Sequence, residues 1–252
     1  MLKGPDALCG AVVWLTRDRE ANEAWRGPFE AAGAQVVSLP CIAVEARHVE
    51  GLLQRVAAAD WLVLTSPQAV RALAAGLGGD RPPDRVRLAV VGEATGVAAG
   101  HAGWRVDLVA RRPDAAGLVE TLKAETTLAG TRVCWPRSSQ ADEGPLETLR
   151  AAGAVLDAFA AYDTVAPPGL ERHLAAALVE TPPDWIVLAS GSACRHLRAA
   201  RPAGQPLLPA RIAAIGARTA EAVEAAGWPV AAVASVPTAA AMLTAMRAAP
   251  GR

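Results

Sequence analysis

Trp61-Leu-Val-Leu-Thr-Ser66 returns 124 residues later as Trp185-Ile-Val-Leu-Ala-Ser190. The same spacing relates Gly92-Glu-Ala-Thr95 to Gly216-Ala-Arg-Thr219, so the repeat runs without a gap. A repeat this long is a duplicated half-protein, because solenoid units repeat every ~20–50 residues. The sequence therefore predicts two similar lobes, and ligands usually bind in the clefts that such lobes form.

Length and composition favour two domains of ordinary size. The chain has 252 residues, of which 52% are apolar and 20% charged, which suits packed cores and excludes a disordered chain. Its formal net charge is zero, so nucleic acid is not a predicted partner. The four cysteines include no CxxC and the four histidines form no metal-spaced pair, so neither disulfides nor a metal site are expected.

One apolar stretch is long enough to cross a bilayer, because residues 225–246 carry no charge. Pro229 and Pro237 interrupt it, and its repeat partner at 101–122 carries six charged residues. A membrane span would not be duplicated as a charged segment, so no membrane association is expected. The chain also does not open with a signal peptide, and the expected location is cytoplasmic.

Short apolar runs alternate with longer helical patterns in both halves, which is typical of βαβ units and a parallel sheet. The predicted strands span 11–16, 35–39, 61–65, 87–91, 105–109, 132–136, 154–158, 185–189, 211–215 and 230–234. The predicted helices span 20–32, 67–75, 93–102, 115–124, 143–152, 192–199, 218–226 and 239–248. The apolar runs are continuous, which indicates strands covered by helices on both faces. The expected class is α/β, with two flavodoxin-like, doubly wound parallel sheets.

Two extended segments, 40–46 and 159–166, follow corresponding strands and fit neither lobe. We expect them to pair as a ribbon between the lobes. The repeat leaves open whether the N-terminal βαβ unit belongs to the first lobe or is exchanged into the second.

Gly92-x-x-Thr95 and Gly216-x-x-Thr219 each follow a strand and open a helix. The free N–H groups and dipole of a helix start favour a carboxylate or phosphate. In the alternative interpretation, each glycine only makes the turn and each threonine caps the helix. Neither segment is a GxGxxG or Walker loop, so a nucleotide site is not predicted.

Hydroxyl residues also follow two equivalent strands, as Thr65-Ser66 and as Ser190-Gly-Ser192. Ligands of open α/β sheets bind at the carboxyl ends of strands, so Ser66 and Ser190 are candidate binding residues. Helix capping is the competing role. The sequence contains no GxSxG elbow, so a serine hydrolase is not expected.

Arg17 and Arg137 end two corresponding strands. Guanidinium groups pair with carboxylates through two hydrogen bonds, so these arginines suit an anionic ligand. The alternative is that each is an ordinary surface arginine.

Tyr162 is the only tyrosine of the chain and lies in the second extended segment. With Gly33 aligned to Gly153, its repeat partner is Ile42. Its ring either packs between the lobes or brings a proton donor into the cleft, since a phenol with a pKa near ~10 is a neutral acid at neutral pH.

Taken in order, six segments of the chain resemble the uroporphyrinogen-III synthase family. They are Leu15-Thr-Arg17, Leu64-Thr-Ser-Pro-Gln-Ala-Val70, Val90-Val-Gly-Glu-Ala-Thr95, Leu149-Arg-Ala-Ala-Gly153, Tyr162-Asp-Thr-Val-Ala-Pro167 and Ile215-Gly-Ala-Arg-Thr-Ala220. The resemblance covers nearly the whole chain. The sequence departs from the commoner family pattern at two places: Ala189 stands where the first copy has Thr65, and Ser138-Ser139 follow Pro136-Arg137 in place of a glycine.

The resemblance implies two lobes joined by a two-stranded connector, with the N-terminal βαβ unit exchanged into the C-terminal lobe. One lobe is residues 1–39 with 168–252, the other is 47–158, and 40–46 with 159–167 form the connector. Family members close hydroxymethylbilane into uroporphyrinogen III, losing water and inverting ring D, as hydro-lyases of haem and tetrapyrrole biosynthesis. They use no metal or organic cofactor. The implied protein is a monomer that contacts adjacent pathway enzymes transiently.

By position, the resemblance implies Tyr162 as the catalytic acid. The expected substrate-binding residues, from the resemblance and the residue patterns together, are Arg17, Ser66, Gly92, Thr95, Arg137, Ser190, Gly216 and Thr219. The alternative function is a non-catalytic two-lobed protein that binds or senses an anionic small molecule, which would not need Tyr162. A flavodoxin-like reductase would need phosphate or flavin loops, which the sequence does not show.

Overall fold

A computed structural model describes residues 8–201 and 210–250 of the chain. The chain divides into two compact units. Unit 1 is Met1–Ala43 with Val165–Arg252, and unit 2 is Val44–Thr164. Each unit contains one sheet built mainly from parallel strands, which confirms the predicted α/β class with two parallel sheets.

In chain order the strands are β1 (Val12–Leu15), β2 (Gln35–Ser38), β3 (Ala43–Ala46), β4 (Trp61–Leu64), β5 (Arg87–Val90), β6 (Leu108–Val109), β7 (Arg132–Ser138), β8 (Val155–Val165), β9 (Trp185–Leu188), β10 (Arg211–Ala214) and β11 (Val230–Val233). The helices are α1 (Arg19–Ala31), α2 (Leu52–Ala57), α3 (Pro67–Gly76), α4 (Glu93–His101), α5 (Ala115–Glu125), α6 (Gly144–Ala151), α7 (Leu170–Glu180), α8 (Gly191–Ala200), α9 (Ala217–Ala225) and α10 (Ala239–Ala248). Every predicted strand and helix overlaps one of these. No helix in the described ranges is long and apolar enough to cross a membrane.

The sheet of unit 1 has the order β11-β10-β9-β1-β2, so the N-terminal β1 and β2 share a sheet with the three C-terminal strands. Successive side chains of a strand point to opposite faces. Along β1, Val13 and Leu15 join the apolar cluster under α1 and α10, whereas Trp14 joins the cluster under α7 and α8. Both faces are therefore buried, which explains why the strands are continuous apolar runs.

The sheet of unit 2 has the order β3-β8-β7-β4-β5-β6. Its central strand β4 shows the same two-sided burial. Leu62 and Leu64 pack in a cluster with α2, α3 and α4, and Trp61 and Val63 pack in a cluster with α5 and α6.

The longest strand, β8, differs from the prediction. Residues 154–158 were expected as a strand and 159–166 as a separate extended segment, but both lie in one strand of 11 residues. Its first residues pair in parallel with β7, and its outer neighbour is β3. The amide of Arg47 just after β3 donates to the Ala161 carbonyl at 2.9 Å. The two extended segments are therefore neighbours in the sheet of unit 2.

The register between β7 and β8 shifts near the end of both strands. Arg137 pairs with Ala160, but Ser138 pairs with Tyr162, so Ala161 is an extra residue. A β-bulge of this kind redirects the following side chains. Consistent with this, the consecutive residues Ala161 and Tyr162 are both buried in the same apolar cluster.

Two helices, α2 and α7, were not predicted. Their N-cap residues are Gly51 and Gly169, which have φ values of 64° and 73° and make no side-chain cap bond. The usual N-cap signal of Ser, Thr, Asp or Asn is therefore absent from the sequence at both helix starts.

Candidate functional site

Tyr162 lies at the carboxyl end of the unit 2 sheet, next to the start of α3. Its side chain is buried, and its hydroxyl oxygen lies 2.9 Å from the Ser66 Oγ. Ser66 is the N-cap residue of α3, and its Oγ accepts a hydrogen bond of 3.0 Å from the Ala69 amide. The structure thus brings together the predicted acid and one predicted binding residue. The sequence did not predict their contact, because it spans 96 positions.

Two opposing effects act on the phenol of Tyr162. Burial raises its pKa above the usual value, and the hydrogen bond to Ser66 lowers the pKa by a smaller amount. The net direction is upward, so the phenol keeps its proton at neutral pH. A general acid must hold its proton at the working pH, which this phenol does, but a raised pKa also makes it a weaker donor. The bond to Ser66 partly offsets that effect.

An ion pair next to Tyr162 was missed by the sequence analysis. The Arg47 guanidinium donates to both carboxylate oxygens of Asp163, at 2.7 and 3.0 Å. Ser139 also donates its hydroxyl hydrogen to Asp163. These contacts lower the pKa of Asp163, mainly through Arg47. They join β8 to β3 and to the residue after β7, and they fix the strand end that carries Tyr162.

Gly92 and Gly216 are the N-cap residues of α4 and α9, and neither helix start has a side-chain cap bond. Their φ values of 169° and 175° are extended, which any residue adopts. A Cβ on Gly216 would meet nothing within 4 Å, and one on Gly92 would make ordinary contact with Pro113 at 3.6 Å. Neither backbone conformation nor packing therefore requires glycine, and the helix starts stay open to a ligand.

The two threonines do not cap their helices, which contradicts the alternative interpretation of these motifs. Thr95 and Thr219 are both buried, and the amide of each donates to the carbonyl of the N-cap glycine at 3.1 Å. They lie in the first turn of α4 and α9. Each is therefore a polar side chain held beside an open helix start.

Ser190 is the counterpart of Ser66 in unit 1. It is the N-cap residue of α8, and its Oγ accepts a hydrogen bond of 3.0 Å from the Ala193 amide. This hydrogen bond shows that Ser190 caps α8. Thus the predicted capping role is present at both serines, and Ser66 alone also contacts a tyrosine.

Arg17 follows β1 and is half-buried. Its guanidinium carbon lies 4.7 Å from the centre of the Trp25 ring. Among the described residues, none forms an ion pair with this guanidinium or accepts a hydrogen bond from it. Burial lowers the pKa of Arg17, and the adjacent Asp18 opposes that change. A partly desolvated cation without a paired carboxylate suits an anionic ligand.

Arg137 occupies the equivalent place in unit 2 but is differently engaged. Only 7% of its side chain is exposed. It donates to the Glu143 carboxylate at 2.7 Å and to the Asp142 carbonyl at 2.9 Å. The guanidinium therefore closes the loop between β7 and α6.

The described part of the chain contains no group of three or more His, Cys, Asp or Glu side chains that could hold a metal ion. The chemistry available at the carboxyl ends of the strands consists of the phenol, the arginines, the hydroxyls and the two open helix starts.

The sequence profile of uroporphyrinogen-III synthase HemD matches residues 23–244. Among solved structures, uroporphyrinogen-III synthetase from Helicobacter pylori has a TM-score of 0.64 at 15% identity, over 93% of this chain and 97% of that one. A mutant uroporphyrinogen III synthase from Thermus thermophilus has a TM-score of 0.59 at 18% identity, over 93% and 96% of the two chains. No curated protein matches the sequence.

At these identities the solved structures show a shared fold. The profile match shows the family as well, because it extends from within α1 to within α10 and so covers most of the chain. The chain therefore belongs to the uroporphyrinogen-III synthase HemD family.

Proposed function

We propose that this protein is a uroporphyrinogen-III synthase, which closes hydroxymethylbilane to uroporphyrinogen III with loss of water and inversion of ring D. The observation that carries the proposal is the family match over residues 23–244. Because the reaction eliminates water, the enzyme is a hydro-lyase. It acts in tetrapyrrole and haem biosynthesis.

In the proposed first step, Tyr162 gives its hydroxyl proton to the substrate's leaving hydroxyl. The carbon–oxygen bond breaks, water departs, and the substrate is left as a cation beside the Tyr162 phenolate. The cationic carbon then bonds to the substituted α-carbon of ring D, and the existing bond from that α-carbon to the bridge with ring C breaks. The released bridge carbon bonds to the free α-carbon of ring D, which inverts the ring, and that α-carbon loses its proton. The proton lost from the substrate after closure returns to the phenolate oxygen, so the enzyme ends unchanged. The support for Tyr162 is its position at the carboxyl end of the sheet, where its buried hydroxyl contacts Ser66 and holds its proton at neutral pH.

The substrate is a flexible octacarboxylate, and its carboxylates need cationic or N–H partners. We propose Arg17 as a direct contact, because its guanidinium lacks a carboxylate partner in the described residues. The helix starts at Gly92 and Gly216 offer backbone N–H groups to further carboxylates. Ser190, Thr95 and Thr219 are proposed to orient the substrate beside these starts. Arg137 is proposed to act mainly by holding its loop, since Glu143 and Asp142 already engage it.

The proposed enzyme needs no metal or organic cofactor, because proton transfer and orientation suffice for the reaction. It is proposed to act as a monomer in the cytoplasm, with transient contacts to the enzymes that supply its substrate and consume its product.

The function is tested by adding the protein to freshly generated hydroxymethylbilane and separating the uroporphyrinogen isomers. The expected product is the type III isomer, in excess over a control without protein. Exclusive formation of the type I isomer, which arises spontaneously, would refute the proposal. Tight substrate binding together with type I product alone would instead favour the non-catalytic binding protein.

A further inference from the structure

Ser66 and Ser190 have nearly the same local structure. Their backbone angles are φ −163°, ψ 156° and φ −165°, ψ 157°. Each caps its helix through one amide hydrogen bond of 3.0 Å. Helix capping therefore accounts equally for both serines, but it leaves the contact between Ser66 and Tyr162 unexplained.

The donors and acceptors of Ser66 restrict what this contact does. A serine hydroxyl has one hydrogen and two lone pairs, and the Ala69 amide uses one lone pair. At the resting phenol either oxygen can donate. Once the hydrogen of Tyr162 points to a substrate oxygen, only the Ser66 hydrogen can complete the bond between them.

We propose that Ser66 is a positioning residue that donates its hydroxyl hydrogen to the Tyr162 oxygen and stabilises the phenolate formed when Tyr162 gives up its proton. This inference rests on the proposed function, in which Tyr162 is the acid. It assigns Ser66 a role through Tyr162 that its repeat partner Ser190 does not have.

The surroundings of the phenol support this role. Burial in the apolar cluster disfavours a phenolate, and the bond to Ser66 is the opposing influence on the Tyr162 pKa. Ser66 also lies at the positive end of the α3 dipole, which favours a negative charge close by.

The charged groups on the neighbouring elements have carboxylate or guanidinium partners of their own. These pairs are Arg47 with Asp163, Arg55 with Asp157, and Arg137 with Glu143. Arg132 on β7 pairs with Asp60. The remaining charged or titratable groups on those elements are Glu45 on β3, Arg71 on α3, and Glu93 and His101 on α4. The buried thiol of Cys134 lies in the same cluster and has a pKa of about 12, so it is neutral.

The register shift between β7 and β8 explains why the Tyr162 side chain lies next to Ser66. It places the extra residue Ala161 directly before Tyr162, and both residues then enter the cluster that contains α3. The phenol consequently reaches the helix start at Ser66 and not the opposite face of the sheet.

The inference is tested by titrating Tyr162 spectroscopically, without substrate. Because the chain has one tyrosine, the whole phenolate absorbance change belongs to Tyr162. Ring-fluorinated tyrosine, which has a lower pKa, is incorporated at this position so that the titration midpoint falls where the circular dichroism is native. In Ser66→Ala the midpoint is expected to rise, and kcat to fall roughly ten- to a hundredfold, as for loss of a hydrogen bond to a charged group.

Three variants separate this role from helix capping. Ser190→Ala loses an equivalent cap and is expected to show a similar drop in Tm with an unchanged titration midpoint. Ser66→Thr keeps a hydroxyl and is expected to restore the midpoint. Ser66→Asp still caps α3 but cannot donate, so its midpoint is expected to rise above that of Ser66→Ala.

An unchanged midpoint in both Ser66→Ala and Ser66→Asp would overturn the inference. A midpoint that rises equally in Ser66→Ala and Ser190→Ala would also overturn it, because the effect would then follow stability. Since the titration uses no substrate, its result is independent of whether the protein makes the type III isomer.

Discussion

Arg17 and Arg137 end equivalent strands, yet within residues 8–201 and 210–250 only Arg137 has a carboxylate partner. Arg137 is closed in by Glu143 and the Asp142 carbonyl, whereas Arg17 stacks on Trp25 with its N–H groups unpaired among the described residues. A repeat in sequence therefore does not make the two arginines equivalent in chemistry. The difference supports the proposed ligand contact for Arg17 and a loop contact for Arg137.

Substitution of the two arginines should give different kinetic results. Arg17→Gln is expected to raise KM for hydroxymethylbilane roughly ten- to a hundredfold, because a charge-assisted hydrogen bond to a carboxylate is lost. Arg137→Gln is expected to lower the free energy of unfolding by about 1 kcal/mol, since its partner Glu143 is largely exposed. Steady-state kinetics and thermal unfolding of both variants check this. Equal KM values for Arg17→Gln and the unmodified protein would contradict it.

The proposed role of the Tyr162 hydroxyl as the acid is tested by the substitution Tyr162→Phe, which removes only that oxygen atom. Tyr162→Phe keeps the ring in its apolar cluster, so the fold should be retained. If Tyr162 is the acid, kcat is expected to fall at least about a hundredfold, within the usual range for general acid catalysis. Product assays with matched circular dichroism spectra measure the effect. Full activity in Tyr162→Phe would remove the proposed acid and leave the family assignment intact.

At the level of elements, prediction from sequence worked where burial alone decides the outcome. β4 and β9 are four-residue apolar runs buried on both faces, so their positions can be read from the sequence. Helix α7 was not predicted, because Gly169 at its start gives no capping signal. The register shift at Ala161 was missed because a bulge depends on the partner strand. The contact between Tyr162 and Ser66 follows from that shift. The sequence therefore singled out Tyr162 and Ser66 as candidate site residues, but it did not predict that their hydroxyl groups contact each other.

The end of β8 should be sensitive to acid. Arg47 and Ser139 lower the pKa of Asp163 in the folded protein below its unfolded value. The carboxylate thus contributes stability above the unfolded pKa, and this contribution is lost as the pH falls through the folded pKa. Asp163→Asn is expected to flatten the acid side of the plot of Tm against pH. Arg47→Gln should flatten it similarly, and an acid side unchanged in both variants would exclude the contribution.

For the whole molecule, the two repeats agree at the amino ends of the strands and at the helix starts that follow the carboxyl ends, and they differ in individual side chains at the carboxyl ends. Arg87 stacks on Trp61, and Arg211 stacks on Trp185, each at 4.1 Å. At the carboxyl ends, by contrast, Tyr162 has no tyrosine counterpart. Duplication has therefore kept the contacts that build each sheet and the helix starts beside it, while the proposed acid is present in one copy only.

This contrast predicts that matched changes at the amino ends alter stability alone. The carboxylates of Asp60 and Asp184 each accept a backbone hydrogen bond of 2.8 Å, from Arg132 and Val12. Asp60→Ala and Asp184→Ala are each expected to lower the free energy of unfolding by about 1 kcal/mol, because a strand-end amide loses its acceptor. Denaturant unfolding gives the stability, and isomer analysis with steady-state kinetics should show unchanged kcat and KM. A large loss of kcat in either variant, at full folding, would mean that the amino ends also take part in the chemistry.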